Sequence, residues 1–214
     1  MSIIRKPHNL ITYYWDDMEY FLSEAEKSND IYSVQNSFYK IALKSIPDNE
    51  EVKIKVPNLP VFDKRNIRFC ILSSFLFLEA FINGEYFESL EFKNTIRELN
   101  PSQIQTLESE MVRTYFDEKW SRWVALFMKD PHANLKGDLA FQNMKKLKEW
   151  RNRLTHYKIQ ELMEIAHDVQ CIENAREAKR IVVDVIAWYY SKTKRKIPDW
   201  VRRDILSTPQ SQNL

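Results

Sequence analysis

Phe69-Cys70-Ile71-Leu72-Ser73-Ser74-Phe75-Leu76-Phe77-Leu78-Glu79-Ala80-Phe81-Ile82-Asn83 is the stretch from which the fold can be read. It is apolar nearly all round, so as a helix it has no face to give to water and must be central and buried. Asp63 stands just before it as a candidate N-cap. Toward the C-terminus, Pro101 sits in the first turn of the next helical region, which is expected to break over 114–117 before a helix over 120–129. A loop over 130–137 then leads to Asp138, expected to cap a helix over 138–157. After a break near His167, a last long helix spans about 171–194, with Pro198 expected to end it and 207–214 expected to be a disordered tail. Toward the N-terminus, 9–28 and 31–46 read as two amphipathic helices parted at Ser28-Asn29-Asp30, with Asn29 or Asp30 as the cap. Residues 47–62 carry three prolines and the alternating run Val52-Lys53-Ile54-Lys55-Val56, a linker that could hold a short strand.

Composition narrows the class. The 214 residues include only two glycines, Gly84 and Gly137. Phosphate-cradling loops and dinucleotide fingerprints are built from glycine, so nucleotide binding of that kind is excluded. An all-α fold is expected, with an N-terminal helical extension and linker over 1–61, a helical core over 62–196 and a tail over 197–214. Charge is nearly balanced, 32 basic against 30 acidic residues, which excludes a polybasic clamp whose affinity comes from phosphate neutralisation alone. Cys70 and Cys171 lie in apolar helical stretches and read as reduced, buried side chains. The first residues lack the hydrophobic region of a signal peptide, and Asp184 interrupts the apolar run 181–190. No bilayer-spanning segment and a cytoplasmic location are therefore expected. His8, His132 and His167 have no metal-ligand spacing to another His or Cys, so neither a zinc site nor a cofactor is expected.

The chemistry concentrates in Arg151-Asn152-Arg153-Leu154-Thr155-His156. Apolar Phe141, Met144, Leu147, Trp150, Leu154 and Tyr157 fall at helical spacing and anchor this segment to the core. Projected on a helix, Arg151, Asn152, Thr155 and His156 share an arc of about 140° away from Leu147 and Leu154. RNA supplies its own nucleophile, the 2′-OH. Cleavage then needs a base, an acid for the leaving 5′-oxygen, and positive donors for the phosphorane. His156 can be either acid or base, Arg151 offers a planar fork for two phosphate oxygens, and Asn152 or Thr155 can hold a phosphate or a ribose hydroxyl. One motif carries one histidine, and a two-fold dimer would bring two.

Arg151-Asn152-x-x-x-His156, with Phe77-Leu78-Glu79-Ala80-Phe81-Ile82-Asn83 some 70 residues earlier, resembles HEPN domains (higher eukaryotes and prokaryotes nucleotide-binding). Trp150 before the motif and Tyr157-Lys158 after it fit as well. The resemblance covers roughly 62–193. It implies an all-α, HEPN-like helical bundle, a homodimer with a composite site, metal-independent cleavage of RNA, and often a role as toxin or antiphage effector beside an antitoxin or sensor protein. Glu79 and Asn83 would orient the motif, with Arg151 or Arg153 as the partner of Glu79; Thr155 and Tyr157 would support it. Some members carry a tyrosine two residues after the histidine as a modification target; here position 158 is Lys and the tyrosine is Tyr157. Other members are non-catalytic modules that bind nucleotide, RNA or protein, and a helical scaffold without a site is the plainest alternative. The basic cluster Lys192, Lys194, Arg195, Lys196, Arg202 and Arg203 reads first as a solvated face and second as a guide for an RNA backbone.

Overall fold

Helix α2 (Lys64–Glu91) stands at the centre of the computed structural model. The structure describes residues 8–44, 64–91, 114–128, 132–156 and 168–207, with Pro101, Ser102, Gln105, Ser109 and Asp130 between them. Side chains of the first helix are described over 10–31 and those of α2 over 64–88. Of the described residues, 86% are helical and none is in a strand, so the fold is all-α. The expected linker and strand at 47–62, the Asp63 cap, the break at His167 and the tail beyond Ser207 lie outside the described residues.

Four helices collect around α2: α1 (His8–Lys44), α3 (116–127), α4 (Leu139–Thr155) and α5 (Ile172–Thr193). The reason is the one its sequence carries. Ile67, Ile71, Phe75, Phe77, Leu78, Phe81, Ile82 and Tyr86 are all buried and point in several directions around the helix. The hydroxyl of Ser74, buried among them, donates to the Cys70 carbonyl one turn back at 2.8 Å, which satisfies it within the helix. By length and composition, 64–88 could cross a bilayer, which corrects the expectation that no segment could; 61% of its apolar window is covered by the rest of the protein.

Ring contacts give the directions. Trp15 meets Phe77 (5.7 Å) while Phe21 meets Phe69 (5.2 Å), so α1 runs antiparallel to α2. Phe116, Trp120 and Trp123 meet Phe75, Phe81 and Tyr86 in turn, so α3 runs parallel to it. Helix α1 presents Ile11, Trp15, Met18, Leu22 and Ala25 to the same core, a spacing of alternating fours and threes that keeps one stripe inward. It is a single helix and not the expected pair. Asn29 and Asp30 cost a helix interior only about 0.7 kcal/mol each, too little to end a helix whose earlier turns are packed on α2. Helix α3 opens after the extended residue Tyr115, where a break was expected, and contains a π-helical turn, Lys119–Trp123.

Polar contacts place α4 and the C-terminal segment. Asp138 occupies the N-cap position of α4 but makes no capping hydrogen bond, contrary to expectation. Its carboxylate instead accepts from Trp188 Nε1 at 2.7 Å and from Lys192 Nζ at 2.9 Å, tying the start of α4 to the end of α5. At the other end of α4, Arg153 reaches Asp168 at 3.6 Å, just before α5 begins. Helix α5 ends at Lys194, four residues before Pro198, because Lys194 turns into the left-handed region (φ 55°). That turn sends Arg195 inward. Its guanidinium donates to Glu85 and lies 4.4 Å from the Phe127 ring centroid, while Tyr189 Oη donates to the same carboxylate at 2.6 Å. Burial, reinforced by Glu85, pushes the Tyr189 hydroxyl well up and keeps it a donor. Arg195 is therefore a core residue and leaves the solvated basic face expected at 192–203. Pro198 instead begins a last turn: its carbonyl accepts from Arg202, leading into Val201–Ile205.

Arg195→Met should cost about 3–5 kcal/mol in denaturant unfolding, because Glu85 stays buried without its cation; Glu85→Gln added to it should recover part of the loss. Lys194→Gly should raise the unfolding free energy by about 0.5–1 kcal/mol, since glycine takes the left-handed turn without a Cβ clash. Lys192 first, and then Trp188, hold the Asp138 carboxyl below the usual carboxylate range. Its contribution is therefore present above about pH 4 and lost as pH falls through its lower folded value. Acid titrations of stability should show wild type and Asp138→Asn differing at neutral pH and converging at the acid end.

Candidate functional site at the end of helix α4

Helix α4 is amphipathic. Phe141, Met144, Leu147, Trp150 and Leu154 are buried against the core, leaving its outer face to polar side chains. Arg151 sits at the edge between the two, half-buried. Its guanidinium carbon lies 5.1 Å from the centroid of the Phe75 ring, and Nη1 donates to Asn152 Oδ1 at 3.0 Å. A flat cation over a ring, held at one edge by an amide, has lost much of the rotamer freedom that an exposed arginine keeps. Thr155 donates to the Arg151 carbonyl at 2.9 Å, so its hydroxyl closes the last turn of the helix.

His156 is exposed and no longer helical: φ −131° and ψ 43° take it out of the spiral, while its amide still donates to the Asn152 carbonyl at 2.8 Å. The helical projection that puts it in one arc with Arg151 therefore does not apply to it. The imidazole stands in solvent at the end of α4, one turn beyond Arg151 and Asn152. Tyr157 lies outside the described residues.

Glu79 and Asn83 make their contacts with Lys119 of α3. The ammonium is 3.6 Å from Glu79 Oε1 and donates to Asn83 Oδ1 at 3.0 Å. Arg153, the other proposed partner of Glu79, is on Asp168. Phe75, Glu79 and Asn83 nevertheless form one stripe on α2 at four-residue spacing: Phe75 carries Arg151, and one turn on the carboxylate and amide carry Lys119. Phe75, under Arg151, and Lys119, the partner of Glu79 and Asn83, are the contacts that sequence reasoning missed. Phe75 reads from sequence only as core, and the one available signal was its place one turn before Glu79.

Beside the motif, a shallow cleft of about 380 Å³ opens between the start of α3 and the outer face of α4, with Asp117, Lys145, Lys148, Glu149 and Asn152 in its lining. Lys148 pairs with Asp117 across it at 2.8 Å. Among the described residues, no group of three or more His, Cys, Asp or Glu side chains could hold a metal ion. No family model, curated protein or solved structure matches the chain.

Proposed function

We propose that this chain is a metal-independent endoribonuclease of the HEPN type, acting at a site shared by two copies. The observation that supports this reading most is the Arg151 guanidinium, held over the Phe75 ring and by Asn152, five residues before the exposed His156. A fixed fork suits the non-bridging oxygens of a phosphodiester, where charge grows as the phosphorane forms. An accessible imidazole suits proton transfer with an incoming strand.

In the reaction, the ribose 2′-oxygen attacks phosphorus and gives its proton to one His156. The bond from phosphorus to the 5′-oxygen breaks, and that oxygen takes a proton from His156 of the second copy. The products are a 2′,3′-cyclic phosphate and a 5′-hydroxyl. The two imidazoles end with their protonation exchanged and are reset by water. A toxin or antiphage role, with an antitoxin or sensor protein as partner and the cytoplasm as location, is the biological setting of this proposal. A non-catalytic HEPN-like module that binds nucleotide, RNA or protein has one observation in its favour: the motif supplies a single histidine, so a monomer lacks the second proton-transfer group.

RNA cleavage in EDTA is the test. His156→Ala should lower the rate about 10²-fold or more, Arg151→Ala about 10²–10³-fold, and Arg151→Lys should not rescue it, because an ammonium offers no planar fork. Turnover per chain should fall on dilution as the dimer dissociates. Wild-type protein that cuts no RNA, or His156→Ala cutting at the wild-type rate, overturns the proposal; an inactive monomer selects the binding module.

A further inference from the structure

We infer that the cleft along α4 is the track on which a single RNA strand runs into the motif, with Lys145 and the amide nitrogen of Asn152 as donors to its phosphates. The identity of the polymer rests on the ribonuclease reading above; the track itself rests on the placement of charge. The whole chain carries a net charge of only +2, yet α4 alone holds Lys145, Lys146, Lys148, Arg151 and Arg153 against the single carboxylate Glu149. Most of these cations are engaged. Lys146 sits on Glu177 at 2.9 Å and over the Trp150 ring, Arg153 is on Asp168, and Lys148 neutralises Asp117. Lys145 is exposed and has no ion pair or hydrogen bond among the described contacts.

The donors are in line. Lys145, Lys148 and Asn152 follow at three- and four-residue steps, which keeps them on one stripe of the helix, and the stripe runs toward the C-terminal end of α4. Two turns, roughly 11 Å, separate Lys145 from Asn152, so Lys145 meets a neighbouring phosphate and not the one at the reacting bond. Asn152 is oriented by chemistry. A guanidinium has donors only, so the amide must turn its oxygen to Arg151 and its NH₂ elsewhere. An open cleft with cations spaced along it suits an extended polyanion better than a small anion, which needs converging donors. In the basic cluster at 192–203, Lys192, Arg195 and Arg203 are likewise committed, to Asp138, Glu85 and Asp204. Glu149 lines the cleft with no ion pair of its own among the described contacts, and it opposes a polyanion there.

These opposite signs make the test. The full chain is titrated with a fluorescent, fully 2′-O-methylated RNA oligonucleotide, which has no free nucleophile, and anisotropy is read at several salt concentrations. Lys145→Gln should weaken binding and reduce the slope of log affinity against log salt by about 0.7, the loss of one phosphate contact on a single strand. Glu149→Gln should tighten binding. Lys196→Gln makes the same charge change in the other basic cluster and should leave the slope as it was. All three side chains are exposed, and unchanged unfolding midpoints confirm intact proteins. Wild type that does not bind the strand, equal effects of Lys145→Gln and Lys196→Gln, an unmoved Glu149→Gln, or polyglutamate competing as well as RNA each overturn the track. Cleavage of ordinary RNA is scored separately, so a protein that binds the strand through Lys145 but never cuts it would refute the ribonuclease and keep the track.

Discussion

A helix that is apolar nearly all round is poorly suited to water alone, and this constraint organises the described part of the molecule. Burying α2 requires neighbours around its circumference, and α1, α3, α4 and α5 supply them. Large rings do much of the filling: Phe77, Phe81, Trp120 and Tyr189 are fully buried, Phe81 stacked with Phe77 and Trp120, and Tyr189 edge-on to Phe81 and Trp120. A core of this kind admits charge only in matched sets. Glu85, near the C-terminal end of α2, is matched by Arg195 and Tyr189. That demand explains why α5 stops where it does, since the chain has to turn at Lys194 to deliver the arginine.

The candidate site follows from the same core at its edge. Phe75 belongs to the buried set, yet its ring is the surface on which Arg151 lies. The guanidinium is therefore fixed by the rigid part of the molecule and not by a loop. His156 is the opposite case, just past the last helical residue and in solvent. A held cation and, five residues on, an accessible imidazole are groups that phosphodiester cleavage through a 2′-OH can use, and their presence supports the proposed activity.

Much of the architecture was legible in the chain. The period of apolar residues placed α4 and α5 nearly to their ends, because burial imposes that period directly on sequence, while α2 runs two turns beyond the Asn83 to which its apolar stretch was followed. The break before α3 was legible too. Local signals misled where tertiary contacts outweighed them. Ser28-Asn29-Asp30 looks like a boundary, but the helix runs through it. Asp138 has the chemistry of a cap and uses it on Trp188 and Lys192 instead. Arg195 looks like one more surface charge and is buried. In each case a long-range partner competes with a local preference worth about a kilocalorie or less.

The sequence by itself determined the class of fold and the identity of the reactive groups, since hydrophobic period and side-chain chemistry are written residue by residue. Only the tertiary structure decided which of those groups meet. Arg151 rests on Phe75, and Glu79 and Asn83 turn to Lys119, because neighbours from distant parts of the chain are chosen by packing around α2. His156 leaves its helix at the C-cap, a matter of backbone angles that side-chain spacing does not encode.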